Sequence, residues 1–321
     1  MSRPAKVPAA ADRILRRDRR ALARAISQVE NHDPAVDPVL RALYPRTGRA
    51  RVVGLTGPLG VGKSSLVNSL LRHLRGEGRR VGVIGIDPSS PFSGGSVLGD
   101  RIRIDRAGDD EGLFFRSMAS RGHSGGIAGA TRDVVRLLDA FGMEIVLVET
   151  VGSGQVDVDI RRVASTNVVV LVPHLGDEVQ SLKAGLFEIA DVFCINKADL
   201  PGADGAARYL NELVQLGVRP GAWSPLVVQT STVADQGIVE LWKAVTAHET
   251  FLDAGSRREE SERQRVRSEI LELVRERVGE RVEPLLASDP QVGRLLEDVV
   301  GRKVDPRTAA DRVYAQLRRV L

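Results

Sequence analysis

The 321-residue chain is poor in several residue types that would have opened particular chemistries. It holds one cysteine, Cys194, so no internal disulfide can form and no cysteine-built zinc site is available. No apolar run approaches the roughly 18–20 residues that span a bilayer, and the N-terminus has no apolar stretch of the signal-peptide kind. The expectation is a soluble, cytoplasmic protein with no membrane partner. Only 12 residues are aromatic, and none is interleaved with the basic stretch at the N-terminus, which leaves little for stacking on bases. Lysine is scarcest relative to its usual role, with 6 residues against 40 arginines. Ordinary basic positions have gone to arginine, so a retained lysine marks a place where a compact ammonium is required.

The net charge of +4 is a local effect. Residues 1–25 carry eight basic side chains against Asp12 and Asp18, and the other 296 residues sum to −2. A basic terminal helix of this kind is ordinarily a solvated face, and a nucleic-acid partner is not expected.

Apolar periodicity predicts a helix over 12–31, followed by a stretch broken at Pro34, Pro38, Pro45 and Gly48. Short continuous apolar runs then occur at 51–56, 81–86, 144–149, 167–172, 191–195 and 225–229. Continuous rather than alternating runs indicate strands buried on both faces. Helical patterns at 63–75, about 128–141, 178–189, 204–216 and 236–252 separate them. This alternation predicts an α/β fold, a mostly parallel sheet flanked by helices on both faces. Beyond Gly255 the composition becomes charge-rich, with Val266, Ile270, Leu273, Val274 and Val278 on one helical stripe and two further helices near 291–299 and 306–320. The expected organisation is an N-terminal helical segment (1–48), a P-loop domain (49–254) and a C-terminal helical extension (255–321). That extension either packs back on the core or serves as a dimerisation arm.

The strongest motif is Gly57-Pro-Leu-Gly60-Val61-Gly62-Lys63-Ser64, a G-x-x-x-x-G-K-S loop between an apolar strand and a helix. Its glycines let backbone N–H groups turn inward toward phosphate oxygens, and the following helix adds the positive end of its dipole. Lys63 is placed on the β- and γ-phosphates, Ser64 on Mg²⁺, and Ser65 follows in the first helical turn. Asn196-Lys197-Ala198-Asp199 closes the strand at 191–195. A carboxylate at 199 can accept from guanine N1–H and the 2-amino group, which adenine cannot offer, so this tetrapeptide points to GTP. Asn196 would contact the base and steady the loops, and the Lys197 stem would lie over the ring. Thr230-Ser231-Thr232 ends the last strand, where a backbone N–H can meet guanine O6.

Between these motifs lie acidic residues at strand ends, where Mg²⁺ and its waters need negative charge. Asp87, Asp100 and Glu149 are candidates, against the plainer readings of a turn, a cap and an exposed strand end. Gly152 resembles the glycine whose N–H senses a γ-phosphate, and Gln155 either positions a water or faces solvent. Residues 116–126, with Arg116, Arg121 and His123, read as a glycine- and charge-rich loop facing phosphate or a partner. Residues 173–183 read as a possible third switch that includes Lys183. Arg101, Arg116 and Arg121 stand unranked as candidates for a catalytic arginine.

Taken together, these segments resemble the methylmalonyl-CoA mutase-associated GTPases, the MeaB/ArgK family within the SIMIBI class of P-loop proteins. The resemblance runs from about residue 12 to 315 and rests most specifically on the long loops GIDPSSPFSGGSVLGDRIR and RSMASRGHSGG. It implies slow GTP hydrolysis, stimulated by a partner and coupled to chaperoning an adenosylcobalamin-dependent acyl-CoA mutase: gating cofactor loading and protecting or reactivating the mutase. It also implies bound GTP or GDP with Mg²⁺, and a homodimer formed through the C-terminal extension. The family's phosphate lysine maps to Lys63, its Mg²⁺ hydroxyl to Ser64, its switch carboxylates to Asp87, Asp100 and Glu149, and its guanine reader to Asn196, Lys197 and Asp199. Leu59, Val61, Ser65 and the His174-Leu175 pair depart from the usual pattern. Two other classes remain open at this point: a nickel metallochaperone, which would need surface Cys and His ligands, and a transport-linked ATPase or kinase, which Asp199 disfavours.

Overall fold

The computed structural model describes residues 8–88, 110–120, 126–150, 159–173, 188–217 and 221–320. Asp100, Arg101, Arg121, His123, Gly152, Gln155, His174, Leu175, Lys183 and most of the predicted helix 178–189 lie outside the described residues, as does the side chain of Asp87. The chain divides into two compact units, Met1–Arg257 and Arg258–Leu321.

The first unit is built on a seven-stranded sheet in the order β3-β2-β4-β1-β5-β6-β7. The strands are β1 (Arg51–Thr56), β2 (Val81–Pro88), β3 (Leu113–Ser120), β4 (Ile145–Thr150), β5 (Thr166–Leu171), β6 (Val192–Ile195) and β7 (Leu226–Gln229), and every pairing is parallel. Side chains alternate between two apolar layers. Ile84, Ile86, Val146, Val148, Val169, Leu171, Phe193 and Ile195 join one layer. Val53, Leu55, Val81, Val83, Leu147, Val168, Val170 and Val192 join the other. Burial on both faces is why these strands read as continuous apolar runs.

Helices α1 (Ala9–Leu15), α2 (Arg19–Glu30), α3 (Asp37–Leu43) and α5 (Gly126–Phe141) contribute to the first layer, together with Leu210 of α6 (Ala203–Gly217). Helices α4 (Lys63–Gly76) and α7 (Ile238–Asp253) contribute to the second. The N-terminal helices therefore share the sheet's core. In the second unit, α8 (Arg257–Ser288), α9 (Pro290–Val300) and α10 (Pro306–Val320) follow in sequence. Gln316 on α10 donates to Asp289, the residue that caps α9. None of the helices is long and apolar enough to cross a membrane among the described residues.

Three local features differ from the periodicity reading. The helix expected over 12–31 is two helices, because Asp18 turns its carboxylate onto the amides of Arg20 and Ala21 and caps a new start. Arg17, with φ of 64°, makes the break. Pro38 does not end structure but lies in the first turn of α3, where its missing N–H would have had no helical partner. Finally, Arg116–Ser120, expected as a loop, is the second half of the edge strand β3. Its polar residues hid the strand, since an edge strand need not be apolar throughout.

The entry into β1 depends on a carboxylate from α5. Asp139 accepts hydrogen bonds from the consecutive amides of Gly48, Arg49 and Ala50, the last two at 3.1 Å each. Asp139 is buried, and that burial pushes its carboxyl pKa up although the three amides oppose the shift. Asp139→Ala removes the shared acceptor of three consecutive amides, those of Gly48 and Arg49 on exposed residues, and is expected to lower unfolding free energy by about 1–3 kcal/mol in urea titrations. Nucleotide affinity at a temperature where the variant is folded should be unchanged, because the contact lies at the start of β1 and the phosphate loop at its end.

Candidate functional site

The site forms where strand order reverses around the central β1. From β1 the chain crosses to β2 on one side, and from β4 it crosses over β1 to β5 on the other. A crevice beyond the carboxyl ends of strands at such a reversal is where open parallel sheets bind ligands. The loop Gly57–Gly62 leaves β1 there and enters α4 directly. Three of its glycines have positive φ: Gly57 at 141°, Gly60 at 79° and Gly62 at 90°. Space requires two of them as well. A Cβ on Gly57 would lie 2.2 Å from the Val170 carbonyl oxygen, and one on Gly62 would lie 2.5 Å from Asn196 Nδ2.

Lys63 is buried, and its Nζ donates to the carbonyls of Gly57 (2.7 Å) and Pro58 (2.8 Å), which lays its charge across the loop. Ser64 Oγ donates to Glu149 Oε1 at 2.5 Å, bringing the first turn of α4 against the buried end of β4. Beneath this pair Thr150 donates to Thr56 across the buried ends of β4 and β1 at 3.0 Å. The Ser64 hydroxyl and Glu149 carboxylate are hard oxygen donors lying side by side, a donor chemistry that suits Mg²⁺. Backbone pairing of Asp87 with Ala119 places residue 87 near the end of β2.

The second motif lies beside the first. Asn196 is fully buried and donates from Nδ2 to the Val61 carbonyl at 2.9 Å, while its Oδ1 accepts from Thr230 at 3.2 Å. Lys197, in the left-handed region at φ 57°, donates from Nζ to the Gly60 carbonyl at 2.9 Å. Thus both motif side chains grip the phosphate loop. Asp199 Oδ1 accepts from the Ser231 hydroxyl at 2.5 Å, and Ser231 Oγ in turn accepts from the Ala234 amide. The Ser231 amide donates to the Gln236 carbonyl, so its backbone N–H is engaged, whereas Thr232 follows on the partly exposed rim. The periodicity of the sequence could not show that Ser231 orients the Asp199 carboxylate through its side chain. A hydroxyl directly after a strand, facing an N-K-x-D loop, is the signal that could have found it.

Other candidates are placed elsewhere. Arg116 forms a two-pronged pair with the Glu30 carboxylate and reaches Ser27, both on α2. That carboxylate holds the guanidinium's pKa up. This binding turns Arg116 toward the N-terminal helices. Cys194 lies inside β6 against Thr230, and burial pushes its thiol up to about 12, which makes it inert. Among the described residues no group of three His, Cys, Asp or Glu side chains could hold a metal ion.

Removing the Ser231 hydroxyl frees the Asp199 carboxylate to rotate. Ser231→Ala is expected to weaken GTP and GDP alike by roughly 3- to 10-fold, the worth of one orienting hydrogen bond, in fluorescent-nucleotide titrations. Asp199→Asn should weaken GTP far more and favour xanthosine triphosphate, because the donor pattern at the carboxylate inverts. Unchanged GTP affinity in Asp199→Asn would contradict a guanine-reading role.

Comparison with known proteins agrees with this geometry. The family profile described as methylmalonyl Co-A mutase-associated GTPase MeaB matches residues 22–285. A relative from Pyrococcus abyssi is 45% identical over 309 residues, covering 95% of each chain. GTPase ArgK of Escherichia coli is 35% identical over 253 residues, covering 76% of each chain. The mouse protein named methylmalonic aciduria type A homolog, mitochondrial, is 31% identical over 263 residues, covering 81% of this chain and 63% of that one. Among solved structures, a crystal structure of a LAO/AO transport system kinase superposes over 99% of both chains with a TM-score of 0.73 at 24% identity, a likeness of fold. The phosphate loop, the guanine motif that grips it and a profile match over most of the chain converge: the chain is a GTPase and belongs to the methylmalonyl-CoA mutase-associated GTPase (MeaB) family.

Proposed function

We propose that this GTPase is a chaperone for an adenosylcobalamin-dependent acyl-CoA mutase of the methylmalonyl-CoA type. In this reading it gates cofactor loading and protects or reactivates the mutase in the cytoplasm. The observation that carries the reading is the family match across residues 22–285, because it takes in the loops between the nucleotide motifs as well as the motifs.

In the reaction, Lys63 stabilises charge on the β- and γ-phosphates, and the inward amides of residues 60–65 hold the phosphate chain. Ser64 and Glu149, with Asp87 and Asp100, would hold Mg²⁺, which supplies charge neutralisation at the phosphates when bound. Gly152 would sense the γ-phosphate and Gln155 would orient the attacking water. Asn196, Lys197 and Asp199 hold the base, with Ser231 and Thr232 on its rim. Lys63 and Lys197 are the cations seen on the carbonyls of the phosphate loop, and a partner-stimulated rate is the expected behaviour.

The same reading assigns the C-terminal helices to a homodimer. Helix α8 buries none of its 32 residues, and Ile270 and Val274 are more than half exposed. An apolar stripe of this length on a charged helix is suited to a second copy.

Two measurements test these assignments. GTP turnover is expected to be slow for the protein alone and to rise when an acyl-CoA mutase is added, and Lys63→Ala should reduce it by roughly 100-fold or more. Absence of both a complex and a rate change with every acyl-CoA mutase tried would remove the partner. In light-scattering chromatography the protein should elute as a dimer and the Ile270→Asp, Val274→Asp double variant as a monomer.

A further inference from the structure

A cluster of buried titratable side chains lies at the opposite end of the sheet from the phosphate loop and takes no part in nucleotide binding. Thr166 opens β5, Asp191 immediately precedes β6, and His248 and Glu249 occupy the later turns of α7. His248 is 3% exposed, and Thr166 and Glu249 are fully buried. The His248 ring is engaged at both nitrogens: Nδ1 lies 2.8 Å from Thr166 Oγ1, and Nε2 lies 3.4 Å from Asp191 Oδ1.

The number of protons available decides how these contacts are made. Thr166 has one hydroxyl hydrogen, and it is directed to Glu249 Oε1 at 2.7 Å. Ser165 Oγ lies 2.7 Å from the same oxygen and 2.9 Å from the Val52 carbonyl, and shares its one hydrogen between them. A carboxylate that accepts from two hydroxyls is favoured in its ionised form. With its hydrogen committed to Glu249, Thr166 Oγ1 can only accept from Nδ1, so Nδ1 must carry a proton. At the other nitrogen, Asp191 Oδ2 accepts from the amide and the side chain of Asn167, at 2.7 and 3.0 Å, which also favours the ionised form. The 3.4 Å separation lies within ion-pair range, and the imidazole is the more basic member.

We infer that His248 is held as a buried imidazolium between Asp191 and the Thr166–Glu249 pair, a charged latch that fastens the last turns of α7 to the starts of β5 and β6. The surroundings suit a cation. The Trp223 ring packs on His248 with centroids 5.0 Å apart, and its Nε1 donates to the Asp191 carbonyl. Among the charged groups around the latch are Asp191, Glu249 and, acting on Asp191 from the short helical turn at Ile160–Arg162, Arg161. Burial raises the Asp191 carboxyl, while the His248 charge and Arg161 pull it back. Without the imidazolium proton, the buried Glu249 and the partly buried Asp191 would flank a neutral ring.

The sign of the pH dependence follows. A histidine whose folded-state pKa is raised above about 6.5 contributes its full stability below that pH and loses it as pH rises through the folded value. The latch is therefore closed in neutral solution and opens on the alkaline side.

Nitrogen-15 imidazole spectra of the full-length protein test this directly. The His248 resonances are identified by their loss in His248→Gln and by their displacement in Trp223→Phe, which leaves the ring's hydrogen bonds in place. His248 is expected to keep both ring protons at about pH 8. A neutral ring with a bare Nδ1, as arises when Glu249 carries the proton, would overturn the inference, as would a midpoint at the free-imidazole value of about 6.5. In parallel, the wild-type urea midpoint should fall between about pH 7 and 9, with faster amide exchange in the last turns of α7, and His248→Gln should be flat over that interval. An equal fall in both proteins would assign the effect to other groups and remove the latch.

Discussion

One buried amide holds the nucleotide end of the molecule together. Asn196 receives the hydroxyl of Thr230 on its oxygen and gives its amide hydrogen to the carbonyl of Val61, and its backbone N–H reaches the Leu171 carbonyl. A single residue thereby ties the end of β5, the end of β6, the end of β7 and the phosphate loop to one another. The residue is inaccessible to water, so each lost contact would leave a polar atom with no alternative partner. This explains the demand on Gly62. The position needs positive φ, and it also needs the absence of a Cβ, because the Asn196 amide occupies the place where one would sit. The two motifs, about 130 residues apart in the chain, are therefore one structural unit.

That unit can be precise because the sheet beneath it is rigid. β1, which launches the phosphate loop, is central, with β4 on one side and β5 on the other, and both faces of all three strands are covered. The strands fix where the loop begins, and Asp139 fixes the strand's own entry from the N-terminal helices. The polar groups at the two ends of the sheet serve different purposes. At the carboxyl ends Ser64, Glu149, Asp199 and Ser231 form short pairs facing the crevice. At the amino ends His248, Asp191, Thr166 and Glu249 bond one another and their strand neighbours Ser165 and Asn167. α7 joins the two regions, starting at Gly237 beside the Ser231–Gln236 bridge and ending at the buried cluster, a span of about 24 Å for a helix of 16 residues.

Most of the sheet was legible in the sequence because parallel strands buried on both faces leave no polar alternation to confuse: all six predicted runs coincide with strands, five of them interior and the sixth the edge strand β7. β3 was not, since Arg116, Ser117 and Ser120 belong to an edge strand and interrupt its apolar run. The split between α1 and α2 was missed for a different reason. Alanine and leucine spacing continues across the break, and only the carboxylate of Asp18 decides that a new helix starts there. Within the site, residue types and spacing announced the loop and the N-K-x-D tetrapeptide. They could not announce partners such as Glu149 for Ser64 or Ser231 for Asp199, which lie 85 and 32 residues away and meet only through strand order.

The scarcity of lysine has a physical explanation at this site. Lys63 donates to two successive carbonyls of the loop that precedes it, and Lys197 reaches the carbonyl of Gly60 from the opposite side. Both ammonium groups therefore bind to backbone oxygens of a loop six residues long whose own amides must stay free for another ligand. An ammonium is compact and can direct its three hydrogens to oxygens in different directions. A guanidinium is a planar fork matched to paired oxygens in one plane, as Arg75 shows with the two carboxylate oxygens of Asp110 at 2.7 Å each. Inside a turn this tight, with Lys63 only 5% exposed, that fork would displace the glycines it is meant to accompany. The fork suits the flat carboxylate that Arg75 meets, and at the phosphate loop, where the partner is a curved backbone, lysine is retained.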